Sequence, residues 1–373
     1  MCIRDSPALW STEKPNLYYV QTEVLVGDEV KDINKETFGF RYIDFNSNTG
    51  FSLNGKNVKL KGVCMHHDQG ALGSVANDRS TERQVEILKM MGCNSIRVTH
   101  NPASDELIDA CNKHGILVID EAFDGWVAPK NSNSNDYSKW FNKKIEDGNE
   151  IMGAAENMTW AQFDLTAMIE RGQNDPAIIM WSLGNEMWEG TGGYSDDYKT
   201  AQDNLVKWAK AADTTRPVTT GDNKLKSNET GAITLGQELQ KAGGIHGMNY
   251  SQEWKNHAGK THYDMIHEDY PEWCMYGSET ASAVNSRGIY KGMGSQTDYG
   301  DYDLTSYDTS AVGWGATASS AWYEVIKRDF IAGEYVWTGF DYIGEPTPWN
   351  GTGQGKPGNA SRWPAPKLSL IHI

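Results

Sequence analysis

The polarity pattern changes character near residue 50. Residues 7–45 carry short runs in which apolar and polar positions partly alternate, as in NLYYVQTEVLVG and ETFGFRYIDF, with no helix-length repeat between them. A period of two marks half-buried strands, so this stretch reads as the closing strands of a β-sandwich. From GFSLNGKNVKLKGVCMHH onward, short apolar runs alternate with helical repeats. Strands are expected at 57–64, 94–98, 116–120, 177–183, 217–221, 244–249, 273–278 and 332–338. Helices are expected between them, at about 80–91, 103–113, 150–171, 195–212, 232–241, 251–268 and 314–329. In STERQVEILKMMG, Ser80 can cap, and Val85, Leu88 and Met91 recur at helical spacing before Gly92 ends the helix.

Such alternation predicts a parallel α/β fold, and eight strands favour a (β/α)8 barrel. Turns into strands are short, whereas loops leaving strands are long, at 121–149, 187–194 and 279–313. A barrel of this kind builds its active site from the latter loops. The expected layout is a sandwich remnant at 7–45 and a barrel at 46–367 that lacks its final helix, since no helical repeat follows the eighth strand. The ends stand apart. MCIRDS and LSLIHI back-translate to reverse-complementary DNA resembling a sequencing-library adapter. Residues 1–6 and 368–373 are therefore expected to be translated adapter, flanking an internal piece of a longer protein.

Composition narrows the function. The net charge of −16 argues against nucleic acid as a partner. No apolar run approaches the ~18 residues of a membrane span. Fourteen Trp and seventeen Tyr suit a pocket for flat apolar ligand faces such as sugars, although most such rings belong to cores. Cys64, Cys93, Cys111 and Cys274 have no metal or redox spacing and are expected to be free thiols in apolar surroundings.

The polar residues at the expected strand ends are His66, His67 and Asp68; Arg97, His100 and Asn101; Asp120, Glu121 and Asp124; Asn185 and Glu186; Asn249 and Tyr250; Glu279; and Trp337 and Asp341. Glu186 and Glu279 each end an apolar strand directly. Two opposed carboxyls are what glycoside hydrolysis needs: one protonated to release the leaving oxygen, the other ionised to attack or to activate water.

The motifs carry a family resemblance. DPAIIMWSLGNE resembles the acid/base signature of glycoside hydrolase family 2, GSETAS its nucleophile strand and GEYVWTGFDYIGEPTPW its eighth strand. LWSTEKPNLY and ETFGFR resemble the end of the family's immunoglobulin-like domain, and GVCMHHDQGALG and IRVTHNPAS look most like the β-galactosidase branch. The resemblance covers essentially residues 7–367. It implies a retaining exo-β-glycosidase acting on terminal β-galactosides, with a β-glucuronidase or β-mannosidase of the same family as the alternative.

The resemblance also implies roles. Glu186 matches the general acid/base and Glu279 the nucleophile. Asn185 matches the residue holding the sugar 2-hydroxyl, Tyr250 the tyrosine bonded to the nucleophile, and Arg97 the arginine beside it. His67 and His100 match positions lining the sugar subsite, Trp337 the aromatic platform, and Asn249 and Asp68 supporting positions. Packing or a bond outside the sugar's immediate contacts is the better reading of His66, while Asp120 and Glu121 stay open between structure and function.

No cofactor or metal is carried over. Some β-galactosidases of the family hold Mg2+ through an acid and a histidine after the third strand, and DEAFDGWVA offers Asp124 without a histidine. Ser361 stands where family glucuronidases have the lysine of an Asn-x-Lys element, next to Asn359. Whether the full-length protein is a homo-oligomer stays open. Two rivals are weaker. A metal-dependent hydrolase barrel could use His66, His67, Asp68 and His100, but neighbouring strand residues point to opposite sides. A non-catalytic sugar-binding module would not need two opposed glutamates.

Overall fold

A computed structural model describes residues 6–342, apart from 131–132, 134–135, 147–153, 253–258, 286–287, 289 and 291–305. Eight parallel strands close a barrel: β6 (Leu60–Met65), β7 (Ser95–Val98), β8 (Leu117–Glu121), β9 (Ile178–Asn185), β10 (Val218–Asp222), β11 (Ile245–Asn249), β12 (Met275–Ala281) and β13 (Ile331–Trp337). β13 pairs with β6, and so the ring has no edge. Helices lie between the strands: α1 (Asp78–Met91), α2 (Asp105–His114), α3 (Ser138–Phe141), α4 (Trp160–Gly172), α5 (Asp196–Ala212), α6 (Thr230–Lys241), α7 (His262–Asp269) and α8 (Ala318–Ile326). This is the expected (β/α)8 barrel. The expected absence of a helix after the eighth strand concerns residues 343–367, outside the described residues.

Local chemistry moved several expected helix starts. Asn77, not Ser80, caps α1: its side chain accepts from Ser80 N, while Gly92 ends the helix in the left-handed conformation. α4 starts at Trp160 rather than near 150, because the Thr159 side chain accepts from Gln162 N. α7 starts at His262 rather than 251, where Thr261 and Asp264 close a capping box. α8 starts at Thr317's cap rather than at 314. Small polar residues satisfy the free N–H groups of a first turn, and these positions override the apolar repeat.

Before the barrel, β1 (Tyr18–Val26) and β2 (Glu29–Phe38) form an antiparallel hairpin, as the sandwich reading expected. Next, β3 (Ile43–Asn46), β4 (Gly50–Leu53) and β5 (Lys56–Asn57) form a small sheet of their own that spans residue 45. Trp10 is fully buried and donates its indole N–H to the Asn112 carbonyl at 2.8 Å, which ties the N-terminal segment to the barrel.

The barrel interior is filled by side chains. Tyr276 and Tyr335 meet edge to face with centroids 5.7 Å apart, and their hydroxyls bond Thr219 and Ser95. Cys64 and Cys111 are buried free thiols, as expected. The register slips by one residue near the ends of two strands. Thr219 pairs with Ser182 but Gly221 with Asn185, and Gly247 pairs with Tyr276 but Asn249 with Glu279. A bulge of this kind re-aims the side chains that follow it. In these two slips the extra residue lies on β9, just before Glu186, and on β12, which carries Glu279; β13 has one as well, between Ile331 and Glu334.

Candidate active site

The strand ends converge on one hydrogen-bonded cluster. Arg97, at the end of β7 and fully buried, donates Nη1 to Glu279 Oε1 at 3.1 Å and Nη2 to Glu121 Oε2 at 2.7 Å. Its Nη2 also donates to Asn185 Oδ1 at 3.0 Å. A Cβ at Gly221 would lie 2.6 Å from Nη2, so β10, three strands round the barrel, is glycine where the guanidinium passes. Glu279 accepts a second bond, from the Tyr250 hydroxyl to Oε2 at 3.0 Å, and Ser282 Oγ donates to that hydroxyl at 3.0 Å. Burial and the Glu279 charge push the Tyr250 phenol well up, so it serves as a donor.

Glu186 is held differently. It receives one amide bond, from Asn249 Nδ2 at 2.9 Å, and Asn249 in turn donates to Asn185 Oδ1 at 3.1 Å. Burial first, and then the Glu279 charge, push the Glu186 carboxyl up to about 7. Its backbone φ is +41°, and Tyr250, Ala281 and Ser282 also have positive φ, between 53° and 63°. Such conformations are costly for residues other than glycine and concentrate where side chains are held for function.

His100 Nδ1 and Glu121 Oε1 are 2.6 Å apart, and His100 Nε2 lies 3.6 Å from Glu279 Oε1. Burial opposes an imidazolium there, yet Asp124, Glu121 and Glu279 outweigh it and raise the His100 pKa. Glu121 is lowered despite its burial, because Arg97, His100 and Ser182 all stabilise the carboxylate.

Of the ten candidates from sequence, Glu186, Glu279, Asn185, Asn249, Tyr250, Arg97 and His100 are joined by these bonds or close approaches. Trp337 flanks them, stacked on His100 with centroids 5.4 Å apart and planes 11° apart. One face of the expected aromatic platform is thus covered by a histidine ring. His67 and Asp68 stand at the periphery: His67 Nε2 is 3.4 Å from the Asn101 carbonyl, and buried Asp68 accepts from Gly70 N at 2.7 Å. His66 packs, stacked on Tyr342 at 4.4 Å. Among the described residues, the one group with metal-ligand spacing is Glu82, Glu86 and His114, away from these strand ends, where Arg79 and Lys113 already pair with the acids.

Two members of the cluster were not singled out in advance. Glu121, left open between two readings, bonds Arg97, His100 and Ser182 at once. Lys130 is buried within the 121–149 loop, and its Nζ donates to Asp124 Oδ1 at 2.7 Å and to the Asn185 carbonyl at 3.0 Å. For Glu121 the strand-end position was a usable signal; for Lys130, in APKNSN, the sequence offered none.

Comparison with known proteins bears on the family of the chain. A family model described as "Glycosyl hydrolases family 2, TIM barrel domain" matches residues 46–371, and one described as "Glycosyl hydrolases family 2" matches residues 3–41. "Beta-galactosidase BoGH2A" of Bacteroides ovatus is 33% identical over 382 residues, covering 92% of this chain and 41% of that protein. A "Beta-glucuronidase" of Bacteroides fragilis is 27% identical over 347 residues, covering 90% of this chain and 44% of its own length. The crystal structure of a beta-glycosidase from Bacteroides vulgatus matches at 30% identity and a TM-score of 0.72, covering 91% of this chain and 42% of that one. The chain thus spans less than half the length of each relative. By the barrel-domain match over most of its residues, it belongs to glycosyl hydrolases family 2.

Proposed function

We propose that the full-length protein is a retaining exo-β-glycosidase that removes terminal β-galactosyl groups, with Glu279 as nucleophile and Glu186 as general acid/base. The observation that carries this reading is the unequal treatment of the two carboxyls. Glu279 accepts from a guanidinium and a phenol, whereas Glu186 accepts from a single amide. Glu186 is raised to about 7, which keeps a proton available near neutrality. In the first step Glu279 forms an ester with the anomeric carbon while the leaving oxygen takes the Glu186 proton. In the second, Glu186 removes a proton from water, which displaces Glu279 and returns the starting anomeric configuration. Asn185, Asn249 and His100 surround the reacting pair and offer hydrogen bonds to sugar hydroxyls. Residues 7–45 then belong to a neighbouring sandwich domain, and residues 46–367 to the catalytic barrel.

The galactoside preference is supported by the motifs of the barrel and by the relative named a beta-galactosidase. The relative named a beta-glucuronidase supports glucuronides as the second reading. Hydrolysis of nitrophenyl β-galactoside, β-glucuronide, β-mannoside and β-glucoside by the full-length protein tests this, with the galactoside expected to be fastest. Roles are tested with azide. Glu279→Ala should give the α-glycosyl azide and Glu186→Ala the β-glycosyl azide; the opposite pairing means the roles are swapped.

A further inference from the structure

Lys130 answers to no part of the two-carboxylate scheme, yet it is built into the site. Its side chain is 10% exposed, and its ammonium contacts Asp124 Oδ1 at 2.7 Å, the Asp124 carbonyl at 3.2 Å and the Asn185 carbonyl at 3.0 Å. An ammonium has three N–H donors, so all are used. The last acceptor is the peptide oxygen linking Asn185 to Glu186. A cation is thereby fixed by backbone beside the candidate acid. Gly125 packs on the stem of the lysine, where a Cβ would lie 3.2 Å from its Cδ. Asp124 in turn accepts from Asn185 Nδ2 at 3.2 Å and is about half exposed, at 48%. The pair therefore joins the loop after β8 to the end of β9 by both backbone and side chain.

We propose that Lys130 and Asp124 are positioning residues that act through Glu186, fixing the Asn185–Glu186 turn and holding a compensated charge beside the Glu186 carboxyl. The proposal rests on Glu186 being the acid/base. Other groups facing Glu186 are Glu279 of β12 and Glu189 of its own loop, which favour the protonated form, and Asn249 of β11, which donates to it. Tyr250 and Lys224 are also within reach of its charge, but Lys224 pairs with Glu189 at 3.2 Å. Lys130 is the cation that opposes protonation of Glu186, and Asp124 moderates it.

The test is the pH profile of kcat/KM for a nitrophenyl glycoside with the full-length protein, over about pH 5 to 9. Lys130→Met removes the cation, so Glu186 keeps its proton longer. The alkaline limb should move up by about one pH unit, the size expected for one nearby charge in a protein site. Asp124→Asn leaves the ammonium uncompensated, and the limb should move down by a similar amount. The double variant restores neutrality, and its limb should return close to that of the unmodified protein. Lys130→Arg keeps the charge and should leave the limb in place.

A purely structural role would lower kcat or yield without moving the limbs in opposite directions. Unmoved limbs, or limbs that move the same way, overturn the proposal. If Lys130→Met does not fold, the isosteric Asp124→Asn decides alone, and an unmoved limb there is equally fatal. Azide rescue of Glu186→Ala separates the two levels. A missing β-glycosyl azide defeats the acid/base assignment itself. Its presence together with unmoved limbs defeats only the role given to Lys130 and Asp124.

Discussion

Two buried glutamates on neighbouring strands have opposite surroundings. Glu279 lies near the end of β12 at the barrel mouth and is 5% exposed; Glu334 sits in β13 facing the outer wall and is 2% exposed. Around Glu279 the protein supplies a guanidinium and a phenol as donors. Around Glu334, among the described residues, the Thr280 side chain is the one hydrogen-bonding group that favours the ionised form. Glu334 lines a groove of about 460 Å³ with Gly62, Val63, Cys93, Trp322 and Val336, and its Oε2 has no hydrogen-bond partner among the described residues. Burial pushes its carboxyl up to about 7. Burial of an acid is therefore not by itself a mark of a site. Glu279 is met by a guanidinium and a phenol, whereas burial drives Glu334 toward neutrality in a groove of mixed lining.

The sharpest break of this comparison is catalytic. Glu279→Gln should lower kcat by at least about 10⁴-fold, in line with removal of a nucleophile elsewhere. Glu334→Gln, equally buried, should leave kcat near that of the unmodified protein. Comparable losses in both variants would mean that donors do not distinguish the two acids. The next effect belongs to Glu186. Glu186→Ala should lower kcat/KM by about 10²–10⁴-fold on glycosides with poor leaving groups, the range of general acid catalysis, and much less on nitrophenyl glycosides. In the unmodified protein, kcat/KM should fall as pH rises through about 7, because the proposed first step needs Glu186 protonated. A profile flat across neutrality would remove Glu186 from that role.

Much of this was legible in the chain, for physical reasons that differ by element. The apolar run AIIMWSL became β9, every residue of it buried, because a barrel strand is enclosed on both faces. Glu186 and Glu279 were legible because a strand that ends in a carboxylate is a local pattern. The bulges that turn them were not, since register slips depend on the neighbouring strand. Glu121 was visible at a strand end, but its bonds to Arg97, His100 and Ser182 needed the closed barrel. Lys130 lies in a polar loop, and nothing in its surroundings along the chain suggests burial. The alternation in residues 18–33 correctly gave strands, yet Tyr19, Val24, Val26 and Ile33 are all more than half exposed there. A pattern states which face must be covered; it does not supply the cover.

The smallest expected effect is thermodynamic and concerns Glu334 alone. Its carboxyl rises from an ordinary 4.5 to about 7 in the folded protein, so the folded state holds the proton more tightly than the unfolded chain. The sign follows: this group's contribution to stability is complete below about 4.5, declines as pH rises, and is fully lost above about 7. The difference between those two values corresponds to about 3 kcal/mol across that window. Glu334→Gln cannot ionise, so its unfolding free energy should lack this decline. The Gln amide offsets this gain, because its N–H groups meet the same donor- and acceptor-poor surroundings and cost about 1–3 kcal/mol when unsatisfied. The informative quantity is therefore the difference in unfolding free energy between variant and unmodified protein, measured by denaturant titration at about pH 5 and about pH 8. Taking the difference cancels Asp120, Asp175 and Asp222, which burial also raises, to about 6, and which both proteins share. The variant should gain on the unmodified protein between the two pH values. A difference that stays constant would mean that Glu334 finds a partner in solution and that the outer wall is no less supplied with donors than the mouth.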